Sequence, residues 1–395
     1  MREFAKHQQA AIVGLGMTDI GKVYDRTAAE FAAEAVRLAV ADAGLTIGDV
    51  DGMLISNGLG GGVTIRLPRD LGMRDLRMLS EITSYGATAI AQVQYACLAV
   101  AGGLAKTVVC VHADAPLKPA SSSGDTYRSA ATARRGVTGF GGFGLTGGLR
   151  GANNLYAFAA RRHMAHFGTT SEDFGHIAVA QRAWATMNPL AQFRTPLTIE
   201  DHQSSRWIVD PLHLFDCCTV SNGAIAVVVT SADRSRHLAQ PPVYPWAWAQ
   251  VHPGTPLHGD SDFGLVSGGT LAAPVVMKMA GITADDIDIR ELYDCYTYTT
   301  MITLEDYGFC AKGEGGAFAA SGALGPGGSH PTNTGGGQLS SYYLWGMTPL
   351  SEAVIQARGQ AGERQVPKHD VVLVTGNGGI LDHHAALVLG TQPCS

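Results

Sequence analysis

Charge is what this sequence is shortest of. Asp, Glu, Lys and Arg make up 16% of its 395 residues, and the balance is only −6. That leaves no basic face for nucleic acid and none for an anionic membrane surface. Long apolar runs are also missing: nothing approaches a membrane span, and the opening MREFAKHQQA has no apolar signal core. A cytoplasmic location is therefore expected. Seven cysteines occur without a C-x-x-C, and Cys217-Cys218 is the one close pair. An odd count in so long a chain fits a reduced compartment and thiols used as core filler.

What the chain has is apolar content, 46%, and length enough for two cores. With so little charge, much of its surface is expected to be buried against partner subunits. Ala10 to Gly16 reads as a buried strand entering a glycine turn, and Thr27-Ala-Ala-Glu30 as a capping box that opens a helix. Gly44 to Asp51 then shares the pattern G-[L/I]-T-x-x-D-[V/I]-D with Gly281 to Asp288, 237 residues later. Each copy follows an alanine-rich helix and leads into a strand, so two halves with one helix–turn–strand unit are expected. Val108 to Val111 and Val371 to Val374 are matching β-branched runs, read as central strands. The expected organisation is α/β, with a first half over 1–240 and a second over 241–395. A loop domain is inserted at about 117–207, with helices over Asn154–Met164 and Glu172–Met187.

The densest signal is Gly328 to Leu350, where glycine, proline and asparagine give way to a helix-competent run. Such a loop aims backbone N–H groups at a helix N-terminus, a place suited to negative charge. It contains Asn333-Thr334-Gly335-Gly336-Gly337, then Tyr342-Tyr343 and Gly346. This resembles the thiolase-superfamily pattern Asn-x-x-Gly-Gly, five positions, His-Pro-x-Gly. Asn333, Gly336, Gly337 and Gly346 match, while Tyr343 stands at the catalytic histidine and Leu344 at the proline. The family's nucleophilic cysteine, in Cys-Ser-x-Gly-x-x-Ala, falls on Thr83 of Thr83-Ser84-Tyr85-Gly86-Ala87-Thr88-Ala89. Its second cysteine loop reads Val374-Thr375-Gly376-Asn377-Gly378-Gly379 here. The resemblance implies the thiolase fold: two repeated α/β halves in a five-layered α-β-α-β-α arrangement, with an inserted loop domain in the first.

Without either thiol or the histidine, thiolysis and Claisen condensation lose their machinery. An oxyanion site can persist and hold a thioester carbonyl as it becomes an enolate. Asn333 with Gly336, Gly337, Gly378, Gly379 and Thr83 are the candidates for it. Cleavage of a β-hydroxyacyl thioester, a retro-aldol, needs that site plus one base and one acid. Tyr343 and Tyr293 are the candidates for proton transfer, with Asp294 and His330 as orienting groups. Tyr293 stands where many thiolases carry the asparagine of Asn-Glu-Ala-Phe. Tyr342 and Tyr343 are read as helical neighbours, turned apart by about 100°. Narrowly, the chain is similar to lipid-transfer-protein-like (SCP2-type) thiolases, and most like bacterial aldolases that cleave steroid side chains from acyl-CoA. That implies a homodimer bound to a zinc-ribbon OB-fold protein of the DUF35 type as a heterotetramer. The substrate is then an acyl-CoA, with no cofactor of the chain's own and any zinc in the partner.

Two alternatives stay open: an acyltransferase or condensing enzyme using Cys295, and a non-catalytic lipid carrier or scaffold. Gly139 to Gly144 satisfies G-x-G-x-x-G, but no strand precedes it, so a plain glycine loop is expected. Asp382-His383-His384 has no second ligand cluster at metal spacing, so no metal is expected.

Overall fold

Gly44 and Gly281 each end a helix in the left-handed conformation, at φ 71° and 72°. The threonine two residues on opens a single 3₁₀ turn, Ile47–Asp49 in one copy and Ala284–Asp286 in the other. Asp49 and Asp286 accept from the N–H and hydroxyl of Thr46 and Thr283 at 2.7 to 2.9 Å. Asp51 and Asp288 then accept from the first N–H of the neighbouring strand, at Thr107 and Val371, both at 2.9 Å. The repeat in the sequence is a repeat of structure.

The computed structural model describes residues 9–120, 146–149, 151–253 and 262–394. Gly139 to Gly144 lies outside the described residues. The strands are β1 (Ala10–Met17), β2 (Gly52–Asn57), β3 (Met78–Glu81), β4 (Thr107–Asp114), β5 (Trp207–Val209), β6 (Leu212–His213), β7 (Gly223–Ser231), β8 (Tyr244–Val251), β9 (Ile289–Glu291), β10 (Val371–Gly378) and β11 (His383–Gly390). Numbering helices of ten residues or more, α1 is Ala28–Asp42, α2 Thr88–Ala101, α3 Ala152–Phe167, α4 Ser171–Thr186, α5 Gly269–Ala280, α6 Thr297–Asp306 and α7 Met347–Ala357.

The first sheet runs β1-β7-β4-β2-β3 and the second β8-β11-β10-β9, the same order apart from the extra edge strand β3. Their directions match too: β2 is parallel to β4 as β9 is to β10, and the other shared pairs are antiparallel. β4 and β10 are both interior strands, as their β-branched runs required. One core joins the facing sides of the two sheets through α2 and α7, with Ile90, Val93, Met347 and Leu350 between Val108 and Val372. A second core packs α1 on the outer face of the first sheet. A third packs α5 and α6 on the outer face of the second. Reading across gives α-β-α-β-α, the five layers expected. Between β4 and β7 lie α3, α4 and the β5–β6 ribbon. Among the described residues no helix is long and apolar enough to cross a membrane.

α1 opens as expected, with Thr27 and Glu30 in a reciprocal capping box. It lies close on β1, where two glycines replace side chains. A Cβ at Gly16 would stand 2.2 Å from the Ala35 carbonyl oxygen and 2.3 Å from the Ala39 nitrogen, both backbone atoms. The helix must move off the sheet to admit even a methyl group. Gly16→Ala is expected to destabilise the fold by about 1–3 kcal/mol, the usual range for overpacking. Denaturant unfolding that leaves the midpoint unchanged would refute this close approach.

Candidate active site

β9 ends at Glu291, and the chain continues as Leu292-Tyr293-Asp294 beside the glycine-rich segment. Arg290 and Pro331–Asn333 exchange backbone bonds: Arg290 N–H donates to Pro331 at 3.0 Å and Asn333 N–H to Arg290 at 2.9 Å. The Asn333 Oδ1 accepts the Leu292 N–H at 2.7 Å. Gly336 and Gly337 then take φ of 93° and 59°, and Gly337–Ser341 forms one π-helical turn. Its leading N–H groups, from Gln338 and Leu339, donate to the Asp294 carboxylate at 2.8 and 3.3 Å. A Cβ on Gly337 would lie 2.1 Å from Asp294 Oδ2, so only glycine fits there.

The turn does not continue as a helix through the tyrosines, contrary to the sequence expectation. Tyr342 is extended, at φ −149° and ψ 161°, and α7 begins only at Met347. Successive side chains of an extended segment point to opposite sides. Tyr342 goes inward, its hydroxyl 3.0 Å from Ser351 Oγ. Tyr343 goes the other way, and its hydroxyl meets that of Tyr293 at 3.2 Å. The two backbones are pinned as well: Tyr343 N–H donates to Ser221 Oγ at 3.0 Å, and Tyr293 N–H to Thr375 Oγ1 at 3.1 Å.

The turn before α2 completes the surround. Gly86 abuts the Tyr293 ring, where a Cβ would stand 2.2 Å from Cζ. Its carbonyl faces Gly346 and Gly376, and the Ser84 carbonyl faces Gly378, all too close for a side chain on the glycine. Thr83 is exposed on the outer side of this turn. Gly379, at φ 64°, makes the bend from β10 into β11.

Of two further expected site residues, His330 is placed elsewhere and Asn333 lies beneath the phenol pair. The chain bends at Gly327, and His330 N–H closes back on the Ala323 carbonyl at 2.8 Å. That sets the His330 ring against Phe318 and Phe309, in an aromatic group of its own. Asn333 is fully buried with its Oδ1 engaged, and it lines a cavity of about 10 Å³ with Glu291, Asp294 and Glu352. It braces the tyrosines from below and meets neither hydroxyl. Asp294 fixes the π-turn through the Gln338 and Leu339 N–H groups.

Burial dominates the electrostatics. It pushes both phenols well above their ordinary value; the neighbouring Tyr343 adds to the effect on Tyr293, and Cys218 and Cys295 add to that on Tyr343. It also pushes the Cys295 thiol up to about 12 and the Asp294 carboxyl up to about 7, the latter against the pull of the Gln338 and Leu339 N–H groups. All seven cysteines are free thiols, and no cluster of metal-ligating side chains occurs among the described residues. The place thus offers two neutral phenols in contact and no thiolate.

Residues 249–391 match the family model described as "Thiolase C-terminal domain-like". A steroid side-chain-cleaving aldolase from Thermomonospora curvata is 38% identical, over 93% of this chain and 95% of that protein. The 17-hydroxy-3-oxo-4-pregnene-20-carboxyl-CoA lyase of Mycobacterium tuberculosis is 41% identical, over 94% and 97%. The chain belongs to the thiolase superfamily, in its aldolase branch. A solved structure, the "Ltp2-ChsH2(DUF35) aldolase", superposes with a TM-score of 0.86 at 37% identity, over 97% of this chain and 98% of that one.

For a thiolase-superfamily chain the unforeseen parts are the clamps around the tyrosines. Ser221 is itself held by Gln192 at 2.8 Å, and Asn188 Nδ2 donates to the Gly335 carbonyl at 2.8 Å. Arg182 of α4 donates to Ser340 Oγ at 2.9 Å. All come from the region around the inserted helices, where no motif marks them.

Asp294 carries a pH signature. Its carboxyl titrates near 3.8 when unfolded and about 7 when folded, so the folded state holds the proton more tightly. Its contribution to stability is complete below pH 3.8 and lost as pH rises through about 7. Asp294→Asn removes that titration, so its stability relative to the parent should improve steadily from pH 4.5 to 7.5. Parallel melting curves across that window would contradict the raised value.

Proposed function

We propose that this chain is a carbon–carbon lyase that cleaves a β-hydroxyacyl-CoA by a retro-aldol reaction, with a steroid side-chain thioester as substrate. The products are a short acyl-CoA, such as acetyl- or propionyl-CoA, and a ketone or aldehyde. The observation that carries this reading is the 3.2 Å contact between the Tyr293 and Tyr343 hydroxyls.

Retro-aldol cleavage moves one proton from the β-hydroxyl to the α-carbon while the Cα–Cβ bond breaks. A carbonyl forms at Cβ, and the bonding pair takes up the relayed proton at the α-carbon in the same step, so that the thioester has enolate character only in the transition state. The proton balance is zero, so a pair of neutral phenols suffices. One tyrosine oxygen takes the β-hydroxyl proton as its own proton passes to the second, which delivers a proton to the α-carbon. The relay never requires a free tyrosinate, in keeping with the burial that holds both phenols protonated. The same pair can run in either order.

Enolate charge falls to backbone N–H groups at Gly337 and Gly378–Gly379, with Thr83 at the rim, while the Gly336 N–H is taken by the Asn333 carbonyl at 2.8 Å. Asn333 and Asp294 keep the frame in place. No step calls for a cofactor. The Cys295 thiol, held neutral by burial, is a poor nucleophile for an acyltransferase. In the cytoplasm the working unit would be a homodimer carrying two copies of a DUF35-type zinc-ribbon OB-fold protein, as a heterotetramer. Strand β3 supports the self-association: it is an outer strand with Leu79 and Ser80 exposed. Co-expression followed by sizing checks the assembly, and an active lone monomer would rule it out.

Tyr343→Phe removes a hydroxyl and almost no volume. Turnover of a β-hydroxyacyl-CoA should fall by roughly 10²–10⁴-fold with little change in KM, and Tyr293→Phe should do the same. Tyr342→Phe should leave turnover near that of the parent, because its hydroxyl serves Ser351. Equal effects at 342 and 343 would overturn the relay. Recovery of a covalent acyl-enzyme from a labelled thioester would favour the acyltransferase instead.

A further inference from the structure

We infer that Glu291 is held as a neutral carboxylic acid and is a positioning residue, joining the end of β9 to the Asn333–Gly337 turn so that the two tyrosine hydroxyls meet. Thr334 lies between two carboxyl groups. Its Oγ1 is 2.7 Å from Glu291 Oε1 and 3.1 Å from Glu352 Oε1. A hydroxyl carries one proton and can satisfy one of them. Were both carboxyls ionised, one of these oxygen–oxygen contacts would hold no hydrogen. All three residues are buried, at 0 to 3% exposure, so bulk water cannot relieve it.

The surroundings say which carboxyl carries the extra proton. Glu352 is met by the Arg364 guanidinium in a two-pronged pair, Nε at 2.9 Å and Nη2 at 3.0 Å, and Gln356 Nε2 donates to it at 3.1 Å. Glu291 receives the Thr334 N–H at 3.0 Å, but the carboxyls of Glu352 and Asp294 face it, with the Arg364 guanidinium beyond them. Arg364 is engaged by Glu352. A proton on Glu291 completes a chain in which Glu291 and Thr334 share donor and acceptor roles and Thr334 donates on to Glu352. Burial first, and Glu352 second, push the Glu291 carboxyl well above its usual range, which agrees with this proton count.

The link matters because of what it ties together. Glu291 stands two residues before Tyr293, and Thr334 opens the segment that leads through the π-turn to Tyr343. A one-ångström slip between them would part the hydroxyls.

The test uses the whole protein with any partner it needs. Glu291→Gln keeps the shape and the neutral hydrogen bonding, whereas Glu291→Leu keeps only volume. Infrared spectra at neutral pH should show a protonated carboxylic-acid carbonyl band that Glu291→Gln loses. Melting of Glu291→Gln should equal or exceed that of the parent at pH 7. On the lyase reading, on which only this kinetic arm rests, Glu291→Gln should keep kcat within about threefold. Glu291→Leu should lose roughly 10²-fold in kcat with KM little changed, the cost of misplacing reacting groups. If Glu291→Leu does not fold, Thr334→Val breaks the same link and should show the same kcat loss. An unchanged infrared band in Glu291→Gln, or a Glu291→Gln as impaired as the leucine variant, would overturn the inference. A parent that cleaves no β-hydroxyacyl-CoA would instead refute the lyase reading, with the infrared and melting results still deciding the state of Glu291.

Discussion

The arrangement rests on one clasp, the Asp294 carboxylate gripping the N–H groups of Gln338 and Leu339. It holds the end of β9 to a turn more than forty residues away in sequence, and it does so where water cannot compete. The grip dictates its own sequence requirements. Gly337 must lack a side chain because the carboxylate occupies that space, and the left-handed backbone at Gly336 and Gly337 aims the N–H groups at it. Once the turn is fixed, the extended step at Tyr342 throws the next side chain outward, and the phenol pair follows.

Burial selects the chemistry that such a site can support. A thiol gains reactivity by ionising, and here every buried thiol is pushed the wrong way, Cys295 to about 12. A phenol in hydrogen-bond contact with another can pass a proton without ever becoming charged. The low-dielectric setting that would silence a cysteine nucleophile therefore suits a neutral relay. The same setting explains why Glu352 needs the full two-pronged attention of Arg364, since an ionised carboxylate there has no solvent to fall back on.

Much of the frame was legible because it is local. The repeated G-[L/I]-T-x-x-D-[V/I]-D encodes a left-handed glycine, a threonine-capped turn and an aspartate that captures the next strand, all within eight residues. The capping box at Thr27 and the β-branched runs of β4 and β10 belong to the same class. The glycine motif located Tyr343, and Tyr293 could be placed beside it by resemblance. What stayed hidden depends on distant contacts. Ser221, Asn188 and Arg182 reach the π-turn only after the chain has folded, and nothing near them in sequence signals the role. His330 misled because proximity to Asn333 in sequence is undone by the bend at Gly327. Asn333 misled for the opposite reason: it is at the centre, but its carbonyl oxygen is taken by Leu292 and its amide faces carboxyls. The helical reading of Tyr342 and Tyr343 failed because a π-turn ending in extended backbone leaves no periodicity to read.

The duplication has a last consequence. Counting by the repeat, the position of Tyr293 in the second half is that of Ser56 in the first. Ser56 Oγ pairs with the buried ring of His112 at 2.9 Å, and burial pushes that histidine down to about 3, so it stays uncharged. The His112 ring in turn stacks on Trp345 at 4.8 Å, two residues beyond Tyr343. The two copies of the repeated strand end have thus parted ways: one presents a phenol to Tyr343, and its twin has become the buttress behind it. Symmetry in the fold has been converted into a front and a back, and a second half transplanted without its sibling would lack the wall it leans on.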